Sequence, residues 1–266
     1  MRKLTIPGTD LESSRFAFGT SSIMRVGTQS ARRRLLAAAV DAGFTLFDTA
    51  PYYGFGIAER DLGAVLHGHP EVRITTKVGI RVPGGEDQSA ASVFTRKIGG
   101  KLFKFLNRPY FDFSVQHARL SLEASLRKLR REHVELFLLH EPQVQLLQAD
   151  EWLQWLEAAK RAGKIGRFGL ALTAGQLRPF LAAGSPLADV IQLLDSLAVH
   201  EADVLAEYGR PLQITFGYIS QARQAGDARP FAQLLRAASE RNPDGVIIVS
   251  TTKVDRVGQF DQADNR

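Results

Sequence analysis

No cysteine occurs anywhere in the sequence, which excludes a disulfide scaffold, a thiol nucleophile and thiolate ligation of a metal. Nor is there a run of roughly 18 apolar residues of the kind that crosses a bilayer. The opening Met1-Arg-Lys-Leu-Thr-Ile-Pro-Gly-Thr-Asp10 has basic residues but no apolar segment of a secretory leader behind them. These absences point to a cytoplasmic protein with no membrane partner. Charge of one sign is modest too: 34 Lys and Arg against 28 Asp and Glu leave a net +6. The two signs are interspersed along the helical segments, and no basic motif carries interleaved aromatics, which argues against nucleic acid as a partner. An anionic cofactor is compatible with that balance. What the chain does have is apolar material, 44% of its 266 residues, enough for a full core.

A short hairpin is expected over residues 2–12, with its turn at Pro7-Gly-Thr-Asp10. Behind it, strand and helix patterns alternate. Strands are expected at 15–19, 45–48, 72–77, 134–140, 168–172, 190–194, 212–218 and 245–250. Helices are expected at 30–42, 57–66, 114–130, 149–162, 176–183, 202–208, 231–241 and from about 254. In the helix at 149–162, Trp152, Trp155, Leu156 and Ala159 keep the spacing of one helical face, which assigns both tryptophans to the core. Eight alternations predict an α/β fold, a closed parallel (β/α)8 TIM barrel with an N-terminal β-hairpin, residues 1–266 forming one barrel domain. The rhythm breaks between 79 and 113. Pro83-Gly-Gly85, a polar run, and a segment mixing Lys97, Lys101, Lys104 and Arg108 with apolar residues make too long a connection for a compact domain. This insertion after the third strand is read as a surface insert or as a lid over the barrel mouth.

Barrels of this kind do their chemistry where the strands end. Thr45-Leu-Phe-Asp-Thr-Ala-Pro-Tyr-Tyr-Gly-Phe-Gly56 ends a strand at Asp48, breaks at Pro51 and Gly54, and carries Tyr53 at the mouth. The next strand ends on Lys77 and the one after it on His140. Taken singly, each has an ordinary explanation: a turn cap, a loop aromatic, a surface lysine, a core histidine. Together they fit one device. A tyrosine with its unperturbed pKa of ~10 is a poor acid near neutrality, and a neighbouring ammonium is expected to lower that value. Asp48 would hold Lys77 charged and aimed, and His140 would donate a hydrogen bond to a substrate oxygen. The predicted task is proton transfer to a carbonyl, with hydride supplied from elsewhere.

The same stretches resemble the aldo/keto reductase family. The resemblance rests on Gly43-Phe-Thr-Leu-Phe-Asp-Thr-Ala-Pro-Tyr-Tyr-Gly54 with Glu59 and Leu62-Gly63 behind it, on Thr76-Lys77, on the helix from Ser121 to Leu129 leading to Leu138-Leu-His140, and on Gly163-Lys-Ile-Gly166. It implies NADP(H) bound without a Rossmann motif, and a tetrad in which Tyr53 is the general acid, Lys77 and Asp48 tune it, and His140 orients the carbonyl. By position, Gln192 matches the family's carboxamide-binding glutamine, and Phe216 falls where a stacking tyrosine is usual. Ser250, Thr251, Thr252, Lys253 and Arg256 match the segment that grips the adenosine 2′-phosphate. The wording Asp48-Thr-Ala-Pro-Tyr-Tyr-Gly-Phe-Gly56 is similar to the branch that oxidises free aldoses.

Two departures stand out. Gly169-Leu-Ala-Leu172 replaces the family's usual Gly-Val-Ser-Asn, removing the polar side chains expected at the nicotinamide amide, and Gly217-Tyr218 replaces a Ser-Pro pair. No metal is expected: His67-Gly-His69 follows a helix on the wrong side of the barrel, without a third ligand in register. Gly54-Phe-Gly56 has Glu59 where a dinucleotide fingerprint needs its third glycine. The function expected is an NADP(H)-dependent oxidoreductase acting on an aldehyde, ketone or aldose. Its alternatives are aldose oxidation and a non-catalytic NADP(H)-binding regulatory protein.

Overall fold

Eight short, apolar strands close on themselves in the computed structural model, which describes residues 1–81, 84, 85, 92 and 110–264. A preceding hairpin pairs β1 (Lys3–Thr5) antiparallel with β2 (Glu12–Ser14). The barrel strands are β3 (Phe16–Gly19), β4 (Leu46–Asp48), β5 (Arg73–Val78), β8 (Val134–His140), β9 (Ile165–Leu172), β10 (Val190–Leu194), β11 (Ile214–Phe216) and β12 (Val246–Val249). All neighbours are parallel, and β12 returns to β3 with Ile248 opposite Ala17, which closes the ring. A two-residue antiparallel pair, β6 (Ile80–Arg81) with β7 (Tyr110–Phe111), lies beside it. The (β/α)8 barrel and its N-terminal hairpin are those expected from the sequence.

Alternation along each strand sorts side chains to two sides of the ring. One apolar cluster joins Ala17, Leu46, Leu136, Leu138, Ala171, Val190, Ile214 and Val246 from seven strands, the layer that fills the inside. Ile6 is buried in the same cluster, with Leu4 and Leu11 packed against it, so the hairpin plugs the N-terminal end. A larger cluster takes the other faces of the strands together with the helices, including Leu35, Leu62, Leu122, Trp152, Leu156 and Leu235. In the helix Ala149–Arg161 the buried residues are Trp152, Trp155, Leu156 and Ala159, the face the spacing predicts.

Two elements differ in kind from expectation. The strand predicted over 212–218 covers only Ile214–Phe216, and Tyr218 instead opens a helix, Tyr218–Gln224, that the sequence pattern did not reveal. Gly217 is the reason. Its φ of +111° is a left-handed turn, and a Cβ there would meet Leu194 Cδ1 at 2.5 Å and the Asp195 carbonyl at 2.9 Å. The helix expected over 202–208 is a 3-10 helix, Glu201–Tyr208. The insertion at 79–113, read as a surface insert or as a lid, falls, apart from its ends and three isolated positions, outside the described residues.

Candidate active site

The two-residue period that builds the interior also builds the mouth. Two positions beyond Leu46, Leu138, Val190 and Ile214 of the inner layer come Asp48, His140, Gln192 and Phe216, on the same side of their strands and one step nearer the C-terminal rim. Register aligns them across the ring. His140 pairs with Ala171, and Ala171 pairs in turn with Gln192. Asp48 stands opposite Thr75, two residues before Lys77 on the next strand.

Lys77 is buried and its Nζ donates to both Asp48 oxygens at 2.7 and 2.6 Å, to the Thr49 carbonyl at 3.0 Å and to the Tyr53 hydroxyl at 3.4 Å. The Tyr53 ring meets the His140 imidazole edge on, with centroids 5.9 Å apart. The four residues predicted from strand ends are thus in one place. Burial raises the Asp48 carboxyl above its ordinary range, against the pull of Lys77 and of a hydrogen bond from Gln192. Burial also works against the Lys77 charge, but Asp48 and Tyr53 outweigh it and the ammonium is held above the usual lysine value. Two oxygens closing on one nitrogen is the geometry of a carboxylate gripping an ammonium.

One expectation about this cluster is corrected. The Tyr53 phenol lies above its ordinary value, not below it, because burial exceeds the opposing effect of Lys77. Burial, with Lys77 second, depresses His140 from 6.5 to about 3, so its imidazole is neutral at physiological pH and has one N–H to donate.

Asp48, Tyr53 and His140 line a cavity of about 550 Å³ together with Gln192, Phe216 and Ser250, and Lys77 is buried behind them. Within it the Gln192 Oε1 is buried without a partner among the described residues, while the same amide bonds Asp48. An acceptor left open beside a phenyl ring fits the carboxamide and ring face of a nicotinamide. Ala171 and Leu172 are buried apolar walls that add no polar side chain. Thr251 is buried, and Thr252, Lys253 and Arg256 are exposed at the start of the last helical segment, outside the cavity lining. The Arg256 guanidinium lies 5.7 Å over the Phe231 ring.

Sequence reasoning missed Glu141, Ser220 and Arg223, which also line the cavity. Ser220 and Arg223 belong to the helix Tyr218–Gln224, which overlaps the predicted strand only at Tyr218. Glu141 simply follows His140, and its neighbour's role was the signal that could have found it. His69 Nδ1 sits 3.1 Å from Glu71, and among the described residues no three His, Asp or Glu side chains are grouped to hold a metal. Among those residues, too, no helix is long and apolar enough to cross a membrane.

Fold and tetrad together define a barrel with a Tyr, Lys, Asp and His cluster at its mouth, and the model of the aldo/keto reductase family matches residues 15–204. The chain belongs to that family. It is 32% identical over 170 residues to a 6-dehydroglucose reductase from Agrobacterium fabrum, covering 60% of this chain and 50% of the relative. It is 32% identical over 114 residues to a D-threo-aldose 1-dehydrogenase from a Pseudomonas species, covering 41% and 33%. An NADH-specific methylglyoxal reductase from Escherichia coli is 29% identical over 205 residues, with 72% and 58% covered. The chain therefore spans between a third and three fifths of the length of these relatives. Among solved structures, an aldo-keto reductase from Klebsiella pneumoniae in complex with NADPH superposes with a TM-score of 0.70 at 20% identity, covering 100% of this chain and 91% of that one.

Proposed function

We propose that the protein is an NADP(H)-dependent oxidoreductase that interconverts a carbonyl compound, an aldehyde, ketone or aldose, and its alcohol, with Tyr53 as the proton-transfer group. The observation that carries this reading is the Lys77 ammonium, pinned by both oxygens of Asp48 and placed 3.4 Å from the Tyr53 hydroxyl. A neutral phenol kept from ionising by burial retains its proton until a developing alkoxide takes it, and the ammonium beside it stabilises the phenolate left behind. In the reverse direction the same oxygen accepts the proton. His140, neutral and edge on to Tyr53, donates its N–H to the substrate oxygen and so fixes where the carbonyl sits. A nicotinamide dinucleotide, held at Gln192 and Phe216, supplies or accepts the hydride when bound. Ser250, Thr251 and Thr252 are assigned with Lys253 and Arg256 to the adenosine 2′-phosphate, to which the last two offer two cations.

Similarity to the Pseudomonas aldose dehydrogenase favours aldose oxidation as a second reading. Ala171 and Leu172, in place of polar side chains, favour a third, a dinucleotide-binding protein without turnover. Steady-state assays with NADPH and NADH across a panel of aldehydes and aldoses separate the three. Turnover with at least one compound is expected. Replacing Lys253 and Arg256 by Ala should weaken NADPH binding at least ~10-fold while leaving NADH binding within about twofold. Equal loss for both dinucleotides contradicts the phosphate assignment, and tight binding without turnover across the panel contradicts the enzyme reading.

A further inference from the structure

The strand that delivers His140 continues into Glu141, whose backbone turns left-handed with φ +54°. That conformation is strained for a residue with a side chain and is met more readily by glycine. It is nonetheless fixed. The Glu141 N–H donates to the Ala171 carbonyl at 2.7 Å, and the Glu141 carbonyl accepts from Gln176 Nε2 at 3.4 Å. The turn sets the carboxylate on the wall of the cavity that holds Tyr53 and His140. Among the described residues that carboxylate has no hydrogen bond or ion pair of its own.

The other charges of the cavity are spoken for. Asp48 is neutralised by Lys77. Arg223, on the helix after β11, lies three strands away from β8 around a ring of eight, and its guanidinium donates to the Asp227 carbonyl at 2.6 Å. Counting the described residues, the mouth beside His140 is therefore negative, with an acceptor that none of them uses. Its field reaches the reacting group: burial is the largest cause of the raised Tyr53 pKa, and Glu141, after Asp48, adds to it.

We propose that Glu141 sets substrate choice at this site, accepting hydrogen bonds from the hydroxyls of a neutral polyhydroxylated carbonyl compound and repelling carbonyl compounds that carry a carboxylate or phosphate near the reacting carbon. The proposal rests on the oxidoreductase reading given above and narrows its substrate class to uncharged sugars and hydroxyaldehydes. A charge exposed on a cavity wall acts over a few ångströms in a medium between water and protein, enough to change relative affinity by about tenfold.

Glycolaldehyde and glyoxylate are the probes, two-carbon aldehydes that differ in a hydroxymethyl against a carboxylate. The kcat/KM ratio of the wild-type protein is expected to favour glycolaldehyde. Glu141→Gln, which keeps an acceptor and removes the charge, should shrink that ratio about tenfold, mainly through a lower KM for glyoxylate. Glu141→Ala should in addition lower kcat/KM for glycolaldehyde. An unchanged ratio in Glu141→Gln overturns the proposal. Binding of the same two compounds to Tyr53→Phe protein with and without Glu141→Gln, followed by ligand-observed NMR, reads the charge effect without turnover. If the wild-type protein reduces neither of these two aldehydes, the NMR ratio still decides the part played by Glu141, and the oxidoreductase reading is decided by the full panel of aldehydes and aldoses.

Discussion

Lys77 has three ammonium protons and meets four oxygens, so its nitrogen is held from several directions and the Tyr53 hydroxyl takes the longest contact. Asp48, Lys77 and His140 could be found from the sequence because Asp48 and His140 end their strands and Lys77 stands one residue before the end of its own, and a polar residue at that point faces the mouth whatever the loops do. The sign of the Tyr53 shift could not be found that way. It depends on how completely the loop from Thr49 to Gly56 covers the phenol, which is a property of packing. His140 gives a pH test. Its folded pKa of about 3 lies below the ordinary 6.5, so between those values the unfolded chain binds a proton that the folded one does not. The contribution is whole above about pH 6.5 and is lost as pH falls toward about 3. Urea unfolding of wild type and His140→Gln at pH 7 and about pH 4.5 should show the wild type losing up to ~3 kcal/mol more than the variant. Parallel losses in the two proteins would mean the imidazole is not held neutral.

The helix Ile57–Leu66 begins just after the tyrosine loop and packs against the helix Val115–Leu129. Their seam holds Glu59, buried, which accepts from Thr76 Oγ1 at 2.9 Å and from Lys128 Nζ at 3.4 Å. Thr76 precedes Lys77, so the seam ties the loop bearing Tyr53 to the strand bearing its lysine. Gly63 makes the approach possible, since a Cβ there would come within 2.6 Å of the Leu129 carbonyl carbon and collide with the Lys128 carbonyl oxygen. Alanine at an exposed helical position gains up to about 1 kcal/mol over glycine. Here Gly63→Ala is expected to cost about 1–3 kcal/mol instead, because backbone must move, as measured by the midpoint of urea unfolding. A stabilised variant would show that the seam is looser than described. At this scale the periodic segments were legible: the helices at 57–66 and 231–241 and the strands at 134–140 and 190–194 keep their predicted bounds. The seventh strand was not. Leu212 to Tyr218 is apolar enough to read as extended, and only the close approach of Gly217 to Leu194 and Asp195 shows where it must turn.

Across the whole molecule, one alternation of side chains does two tasks, apolar through the inside of the ring and polar at its C-terminal rim. The hairpin closes the other end, and the buried Arg15 ties the start of β3 to the end of the helix Phe231–Arg241 and the turn before β12 through the carbonyls of Ser239, Asn242 and Gly245. Strand count and order could be foreseen because eight strand and helix alternations leave few other arrangements. The role of Arg15 could not, since nothing in its neighbours distinguishes an arginine buried against backbone carbonyls from one on the surface. A rigid ring is what keeps a phenol from one loop against an ammonium from the next strand. The most direct measurement is therefore turnover by Tyr53→Phe on the best carbonyl substrate found for the wild type, with NADPH binding and thermal unfolding followed in parallel. A fall of about 100- to 10,000-fold in kcat, with binding and melting unchanged, is the expected result. Undiminished turnover would contradict proton transfer through Tyr53, and with it the function assigned to this cluster.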